Sequence, residues 1–282
     1  MHRIILENTN IKELGDRPRT IRILLPDGYD DQPEKRYPVL YMHDGQNLFD
    51  SSGYSGYSWD VARTLDRMQA AGETDGIIVV GIDNGGDHRI SEYSSSIDPR
   101  AVKRIEKHFK GIALVAEGGA YGDWLVGTLK PSIDARYRTL PAQATTGIAG
   151  SSCGGNISLS IMLAHPDRFG VVGVFSPALW IIAADAFERL KQADLQGVRI
   201  YHDMGGWEET GRFESLQLTF SSLRLDRALK RRMPQNDVMR RFDPIARHTE
   251  LFWQDRFPGF VRWGFGTRRS HDECMRSKEE QR

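Results

Sequence analysis

The sequence has little cysteine, no long apolar run and no excess of charge of either sign. Its 282 residues include only two cysteines, Cys153 and Cys274, too few for a disulfide framework or a cysteine-based metal site. No window approaches the roughly 18 apolar residues of a transmembrane helix, so no membrane span is predicted. Lys and Arg together number 38, as do Asp and Glu, and this balance gives no support for binding nucleic acid or an anionic membrane.

The N-terminal residues also lack the apolar core of a signal peptide, so a cytoplasmic protein is the expectation. Hydrophobic residues make up 39% of the chain, which is enough for a sizeable core. No internal repeat, low-complexity segment or linker divides the sequence, and its length suits one large α/β domain. We therefore expect residues 1–282 to form a single domain with a frayed, charged tail over about 267–282.

Apolar segments that suit buried strands alternate along the chain with segments of helical spacing. Strands are predicted at 20–26 (antiparallel), 37–42, 76–82, 147–149, 169–175 and 198–202. Helices are predicted at 59–70, 102–109, 121–133, 183–192, 213–233 and 253–263, with Pro258 interrupting the last one. The stretch 233–247 is highly charged, so a last strand near 237–243 is expected to be short, displaced or exposed. This alternation predicts an α/β protein with a mostly parallel sheet covered on both faces.

The stretch Gly150-Ser151-Ser152-Cys153-Gly154 fits the pattern Gly-x-Ser-x-Gly between a predicted strand and a predicted helix. In that context the pattern indicates a nucleophile elbow, a tight turn that presents the central serine, here Ser152. Glycines two residues before and after the serine remove side chains that would clash in such a turn. The positive end of the following helix would favour an oxyanion beside the serine. The plainer alternative is a turn rich in glycine and serine that binds nothing.

Further motifs occur in order along the chain, namely Tyr37–Phe49, Tyr121–Leu125, Ile133–Arg138, His165–Gly170, Phe175–Trp180 and His248–Trp253. Together with Gly150–Gly155, they make the chain resemble the putative-esterase family of α/β hydrolases over roughly residues 15–265. That family includes feruloyl and acetyl-xylan esterases, enterochelin-type esterases, S-formylglutathione hydrolases and mycolyltransferases. The resemblance implies the α/β-hydrolase fold, a three-layer α/β/α sandwich with a mostly parallel sheet, and catalytic residues in the order serine, acid, histidine.

A serine hydroxyl is a weak nucleophile at neutral pH and needs an adjacent base, which in this order is a histidine after Ser152. His165 lies at the exit of the elbow helix, His202 lies within a strand, and His271 lies in the tail. The candidate is His248, because it opens a His-x-Glu-x-x-Trp motif where the family carries its catalytic histidine. The alternative is a surface histidine near the start of a helix.

The acid should lie on the loop Asp203–Thr210, which follows a predicted strand. The family pattern there is roughly Asp-x-Gly-x-x-Glu, and it matches the residues from Asp203 to Glu208. Glu208 is therefore the expected acid, which would orient His248 and stabilise its imidazolium, with Glu209 and Asp203 as alternatives. Both glutamates could instead begin the next helix, where carboxylates suit the helix dipole.

The oxyanion hole is expected to use two backbone N–H groups. One belongs to Cys153, directly after the nucleophile, and the other to Gln46, or its neighbour Gly45, after the strand at 37–42. The side chain of Cys153 is expected to be a small buried filler. The pair His43-Asp44 has no third ligand at suitable spacing, so neither a metal nor a cofactor is predicted.

Three tryptophans, Trp59, Trp180 and Trp207, follow predicted strands and are candidate substrate-binding residues, although each could be ordinary packing. The predicted function is that of a serine carboxylic-ester hydrolase that forms an acyl-enzyme. Its substrate would be a small, soluble ester: an acetylated sugar, a hydroxycinnamoyl ester or a short acyl ester. Two alternatives are an acyltransferase with the same site and a non-catalytic binding protein on a hydrolase scaffold. The sequence predicts no oligomeric state.

Overall fold

The computed structural model describes residues 3–50, 55–108, 114–209 and 211–267. The strands in this part of the chain are β1 (Arg3–Ile11), β2 (Arg17–Leu25), β3 (Val39–His43), β4 (Ile78–Ile82), β5 (Thr146–Ser151), β6 (Val171–Phe175), β7 (Arg199–Trp207) and β8 (Val238–Arg247). They form one sheet in the order β1-β2-β4-β3-β5-β6-β7-β8. Strands β1 and β2 are antiparallel to their neighbours, and β3 to β8 are parallel. The mostly parallel sheet predicted from the sequence is confirmed.

The helices are α1 (Val61–Ala70), α2 (Arg89–Glu92), α3 (Val102–His108), α4 (Gly118–Trp124), α5 (Lys130–Arg136), α6 (Cys153–Ala164), α7 (Ala183–Gln192), α8 (Arg212–Lys230) and α9 (Glu250–Phe265). A π-helical turn joins α4 to α5. Side chains of α1 and α9 pack on one face of the sheet, and those of α4 to α8 pack on the other. The central strands are therefore covered on both faces, which explains why each reads as a continuous apolar run rather than an alternating pattern.

Both outer strands differ from the expectation. Strand β1 was not predicted, because most of its side chains are exposed or half-buried and Glu7 and Asn8 interrupt the apolar residues. Strand β8 is exposed, as expected, but it is neither short nor displaced: it runs for ten residues beside β7. It is an edge strand on which Arg241 and Arg247 are exposed and Arg240 is half-buried.

Two further expectations were wrong. Pro258 lies inside α9 and does not interrupt it, because Phe257 and Phe260, both fully buried, anchor the helix to the core on either side. Strand β7 continues to Trp207, into the segment predicted as a loop, so Asp203 is a strand residue. Thr210 and the tail from residue 268, with His271 and Cys274, lie outside the described residues. No helix in the described ranges combines the length and apolarity needed to cross a bilayer.

Candidate active site

A cavity of about 550 Å³ lies at the carboxyl ends of the parallel strands. The loops that follow β3, β4, β5 and β6 each bring a polar side chain to it, namely Asp44, Asn84, Ser152 and Ser176. In open α/β sheets this edge is where ligands bind, because the loops after parallel strands converge there. The cavity is therefore the candidate active site.

Ser152 sits on the tight turn between β5 and α6. Its backbone has φ 57° and ψ −123°, a conformation that is strained for any residue with a side chain. The Ser152 N–H donates to the carbonyl of Phe175 at the end of β6, over 2.9 Å, and this bond helps to hold the turn. A Cβ on Gly150 would lie 2.7 Å from the carbonyl carbon of Gly154, so the turn requires glycine there. These features are those of the predicted elbow.

The two expected oxyanion donors lie at the same cavity. Cys153 is the first residue of α6, where backbone N–H groups have no acceptor within the helix. Gln46 belongs to a short helical turn after β3, and its side-chain oxygen accepts a hydrogen bond from the N–H of Asn84 at 3.2 Å. The Cys153 side chain is buried, and burial raises the pKa of its thiol, so it remains neutral. Cys153, directly after Ser152, and Gln46, after β3, thus line the same cavity as Ser152.

His248 and Glu208 are in direct contact. His248 follows β8, Glu208 follows β7, and the His248 Nδ1–H donates to Glu208 Oε2 at 2.6 Å. Glu208 is only 5% exposed, and its other oxygen accepts hydrogen bonds from the Ser176 hydroxyl at 2.6 Å and from the Gly205 N–H. Burial alone would raise the pKa of Glu208, but the hydrogen bond and charge of His248, with the other two donors, lower it. Glu208 is therefore a carboxylate that can accept from His248 at neutral pH.

The other two acid candidates do not contact His248. Asp203 is fully buried and accepts from the Ser176 N–H at 2.9 Å and from the Tyr201 hydroxyl at 2.9 Å. Its burial raises the pKa of the carboxyl to about 6, although the charge of a buried arginine opposes the shift. Glu209 also lines the cavity, but its carboxylate pairs with Arg104 at 3.0 Å. Geometry thus separates three carboxylates that the sequence left as alternatives.

The three tryptophans have different positions. Trp180 lines the cavity, with the Arg104 guanidinium 4.3 Å above its ring. Trp59 lies in the core, 2% exposed and stacked on Trp253, so it does not line the cavity. Trp207 does not line it either and is 45% exposed at the end of β7. Of the three expected contacts with a ligand, only that of Trp180 fits the structure.

Sequence reasoning missed an ion pair on the cavity wall. The Arg89 guanidinium donates to both oxygens of Asp44, at 2.6 and 2.8 Å, and the Asn84 amide donates to the same carboxylate at 2.7 Å. Burial would raise the pKa of Asp44, but the charge of Arg89 outweighs it and keeps Asp44 ionised. The neighbouring His43 is buried, its pKa is lowered to about 3 by that burial, and it contacts the Tyr121 hydroxyl at 3.0 Å.

A second missed contact joins two loops. Asn47 donates from its amide to Glu250 Oε1 at 3.1 Å, and both residues line the cavity. The sequence does contain a signal for these residues: Asp44, Asn47 and Asn84 all lie within four residues of the end of a parallel strand. Polar side chains at such positions are candidates for a site even without a motif.

The strand order and the strained serine after β5 define an α/β hydrolase. The model of the Putative esterase family matches residues 12–263. The chain therefore belongs to this family, as its motifs predicted. Membership supports a carboxylic-ester hydrolase.

Individual relatives are distant. The chain is 24% identical over 248 residues to the uncharacterized protein YjcH of Bacillus subtilis (strain 168), covering 86% of this chain and 89% of that protein. It is similar in structure to an IroE-like serine hydrolase from Shewanella oneidensis, with TM-score 0.71 and 18% identity over 93% of this chain and 80% of the other. A ferulic acid esterase gives TM-score 0.69 and 18% identity, over 94% and 97% of the two chains. At these identities the structural likeness establishes the fold.

Proposed function

We propose that this protein is a serine carboxylic-ester hydrolase in which Ser152 is the nucleophile, His248 the general base and Glu208 the acid that orients it. The backbone N–H groups of Cys153 and Gln46 form the oxyanion hole. The observation that carries the proposal is the 2.6 Å bond between His248 Nδ1 and Glu208, at the cavity that Ser152 also lines. With Nδ1 engaged, Nε2 is the nitrogen left to accept the serine proton.

The reaction proceeds in two halves. The Ser152 oxygen attacks the ester carbonyl carbon while its proton passes to His248 Nε2, and the carbonyl oxygen becomes an oxyanion held by the two N–H groups. The intermediate collapses, the C–O bond to the alcohol breaks, and the alcohol leaves with the proton from His248. Water then attacks the acyl-enzyme, giving a proton to His248. Release of the carboxylic acid returns that proton to Ser152.

The mixed lining of the cavity favours a small ester that carries both polar and apolar groups. The lining includes polar side chains, among them Asp44 and Asn84, and apolar side chains, among them Trp180 and Leu218. A volume of about 550 Å³ suits a small molecule rather than a polymer chain. The substrate classes that fit are an acetylated sugar, a hydroxycinnamoyl ester or a short acyl ester.

The test is hydrolysis of p-nitrophenyl acetate and butyrate by the wild type, Ser152→Ala and His248→Ala. We expect turnover by the wild type and background rates from both variants. Ser151→Ala is the matched control, since Ser151 also lines the cavity but belongs to β5, and it should retain most of the activity. An inert wild type, or full activity in Ser152→Ala, would contradict the mechanism.

A further inference from the structure

Behind Glu208 lies a buried group of side chains that the proposed reaction does not use directly. Ser176, at the end of β6, is 2% exposed, and its hydroxyl donates to Glu208 Oε1 at 2.6 Å. The same hydroxyl oxygen accepts from Trp253 Nε1 and from Arg256 Nη2, each at 3.0 Å. Both donors belong to α9, which follows His248 along the chain.

The hydrogen-bonding capacity of the Ser176 hydroxyl is therefore full. A serine hydroxyl has one hydrogen to donate and two lone pairs that accept. Trp253 and Arg256 are donors only, so they occupy the lone pairs and leave the hydrogen a single direction, toward Glu208. An ordinary hydroxyl rotates to suit its surroundings, whereas this one is held in one orientation.

The backbone of Ser176 is fixed as well. Its φ of 39° lies in the left-handed region, which is unfavourable for a residue with a side chain. The Ser176 N–H donates to Asp203 Oδ1 at 2.9 Å, and Asp203 Oδ2 lies 3.2 Å from Arg256 Nε. Arg256 is fully buried, so its charge acts on Asp203 and on the Ser176 hydroxyl with little screening by water. A strained conformation that several partners over-determine is typical of functional sites.

We propose that Ser176, oriented by Trp253 and Arg256, is a positioning residue that holds Glu208 in the rotamer that bonds His248. The role of Ser176 in catalysis rests on the proposed function, but the hydrogen bond between Glu208 and His248 can be measured without substrate turnover. Without the hydroxyl, Glu208 Oε1 keeps only the Gly205 N–H. The carboxylate would then rotate more freely and bond His248 for less of the time.

The experiment follows the His248 Nδ1 proton by one-dimensional proton NMR of the full chain. A short N–H···carboxylate bond moves that proton far downfield, and a His248→Gln variant assigns it. We expect the resonance in the wild type, its loss in Ser176→Ala and weakening in Trp253→Phe, which removes one donor but keeps a ring. Ser222→Ala is the matched control, since Ser222 is a fully buried serine that contacts His202 at 3.4 Å. It should keep the resonance.

Kinetics supply the second readout. For p-nitrophenyl butyrate, Ser176→Ala should lower kcat about tenfold or more and leave KM within about twofold, because protein groups already take all the hydrogen bonds of this hydroxyl. An unchanged resonance in Ser176→Ala, an equal loss in Ser222→Ala, or no such resonance in the wild type would overturn the proposal. If Ser176→Ala does not fold, an unchanged resonance in Trp253→Phe overturns it instead. A wild type that is inert toward esters would refute the proposed function only. The resonance would still test whether Ser176 holds Glu208 against His248.

Discussion

Replacing Gly150 by alanine tests the tight turn that presents Ser152. A Cβ at this position would lie 2.7 Å from the carbonyl carbon and 2.8 Å from the carbonyl oxygen of Gly154. Carbon atoms in contact normally stand about 3.5–4.0 Å apart, so the overlap is about 1 Å. The obstructing atoms are backbone in the first turn of α6, which cannot rotate away as a side chain would. Either β5 or α6 must therefore move.

The magnitude of the effect follows from that displacement. Overpacking of this kind costs about 1–3 kcal/mol of unfolding free energy. At about 2–4 °C for each kcal/mol in a protein of this size class, Tm should fall by about 2–12 °C. Catalysis should suffer more, because a misplacement of about 1 Å at a reacting group can cost on the order of 100-fold in rate.

The assay is thermal unfolding by circular dichroism together with kcat for p-nitrophenyl butyrate. Gly119→Ala is the matched control, because a Cβ there meets no atom within 4 Å and the residue lies in α4. It should leave kcat unchanged and raise stability by about 0.5–1 kcal/mol, as alanine does relative to glycine in helices. A Gly150→Ala protein with the Tm and kcat of the wild type would refute the account of the turn.

Three more outcomes follow from single contacts. Glu208→Gln should lower kcat/KM by about 10³–10⁴-fold in initial-rate assays, whereas Glu209→Gln should stay within about threefold, because only the first bonds the histidine. Asp226 has a pKa lowered to about 2 by hydrogen bonds from a buried histidine and then a lysine, so its stabilisation is present above about pH 4 and is lost as the pH falls toward 2. Asp226→Asn should therefore lower the unfolding free energy by about 1 kcal/mol in urea titrations at pH 7, since the partner Lys230 is 40% exposed and screened by water, and the difference should shrink as the pH falls toward 2. Trp180→Ala should raise KM for aromatic esters about fivefold to tenfold, and Trp207→Ala should not, because only Trp180 lines the cavity.

The centre of the sheet was predictable because short-range patterns determine it. Strands buried on both faces read as apolar runs, and the glycines around Ser152 follow from the geometry of one turn. The edges were harder to predict: β1 was missed, and β8 was expected only near 237–243, because both strands carry many exposed or charged side chains. Pro258 was misjudged because packing on the core outweighs the loss of one helical hydrogen bond.

The arrangement of the acid, His248 and Ser176 depends on contacts between residues far apart in the sequence, which no local pattern predicts. The choice among Asp203, Glu208 and Glu209 was open, because all three lie near one strand end and only the fold decides which carboxylate meets His248. Ser176 belongs to a motif noted in the sequence. Its proposed role depends on hydrogen bonds from α9, about 80 residues further along the chain, which no local pattern indicates. Polar residues after parallel strands were the signal that sequence reasoning left unused.

The most direct test of the proposed chemistry is covalent labelling by a fluorophosphonate, followed by intact-mass spectrometry and peptide mapping. Such a reagent phosphonylates a serine that has an adjacent base and an oxyanion hole, whatever the natural ester is. The account predicts one adduct per chain on Ser152, no adduct in Ser152→Ala and much slower labelling in His248→Ala. A folded wild type that takes no label, or that carries the label on another residue, would contradict it.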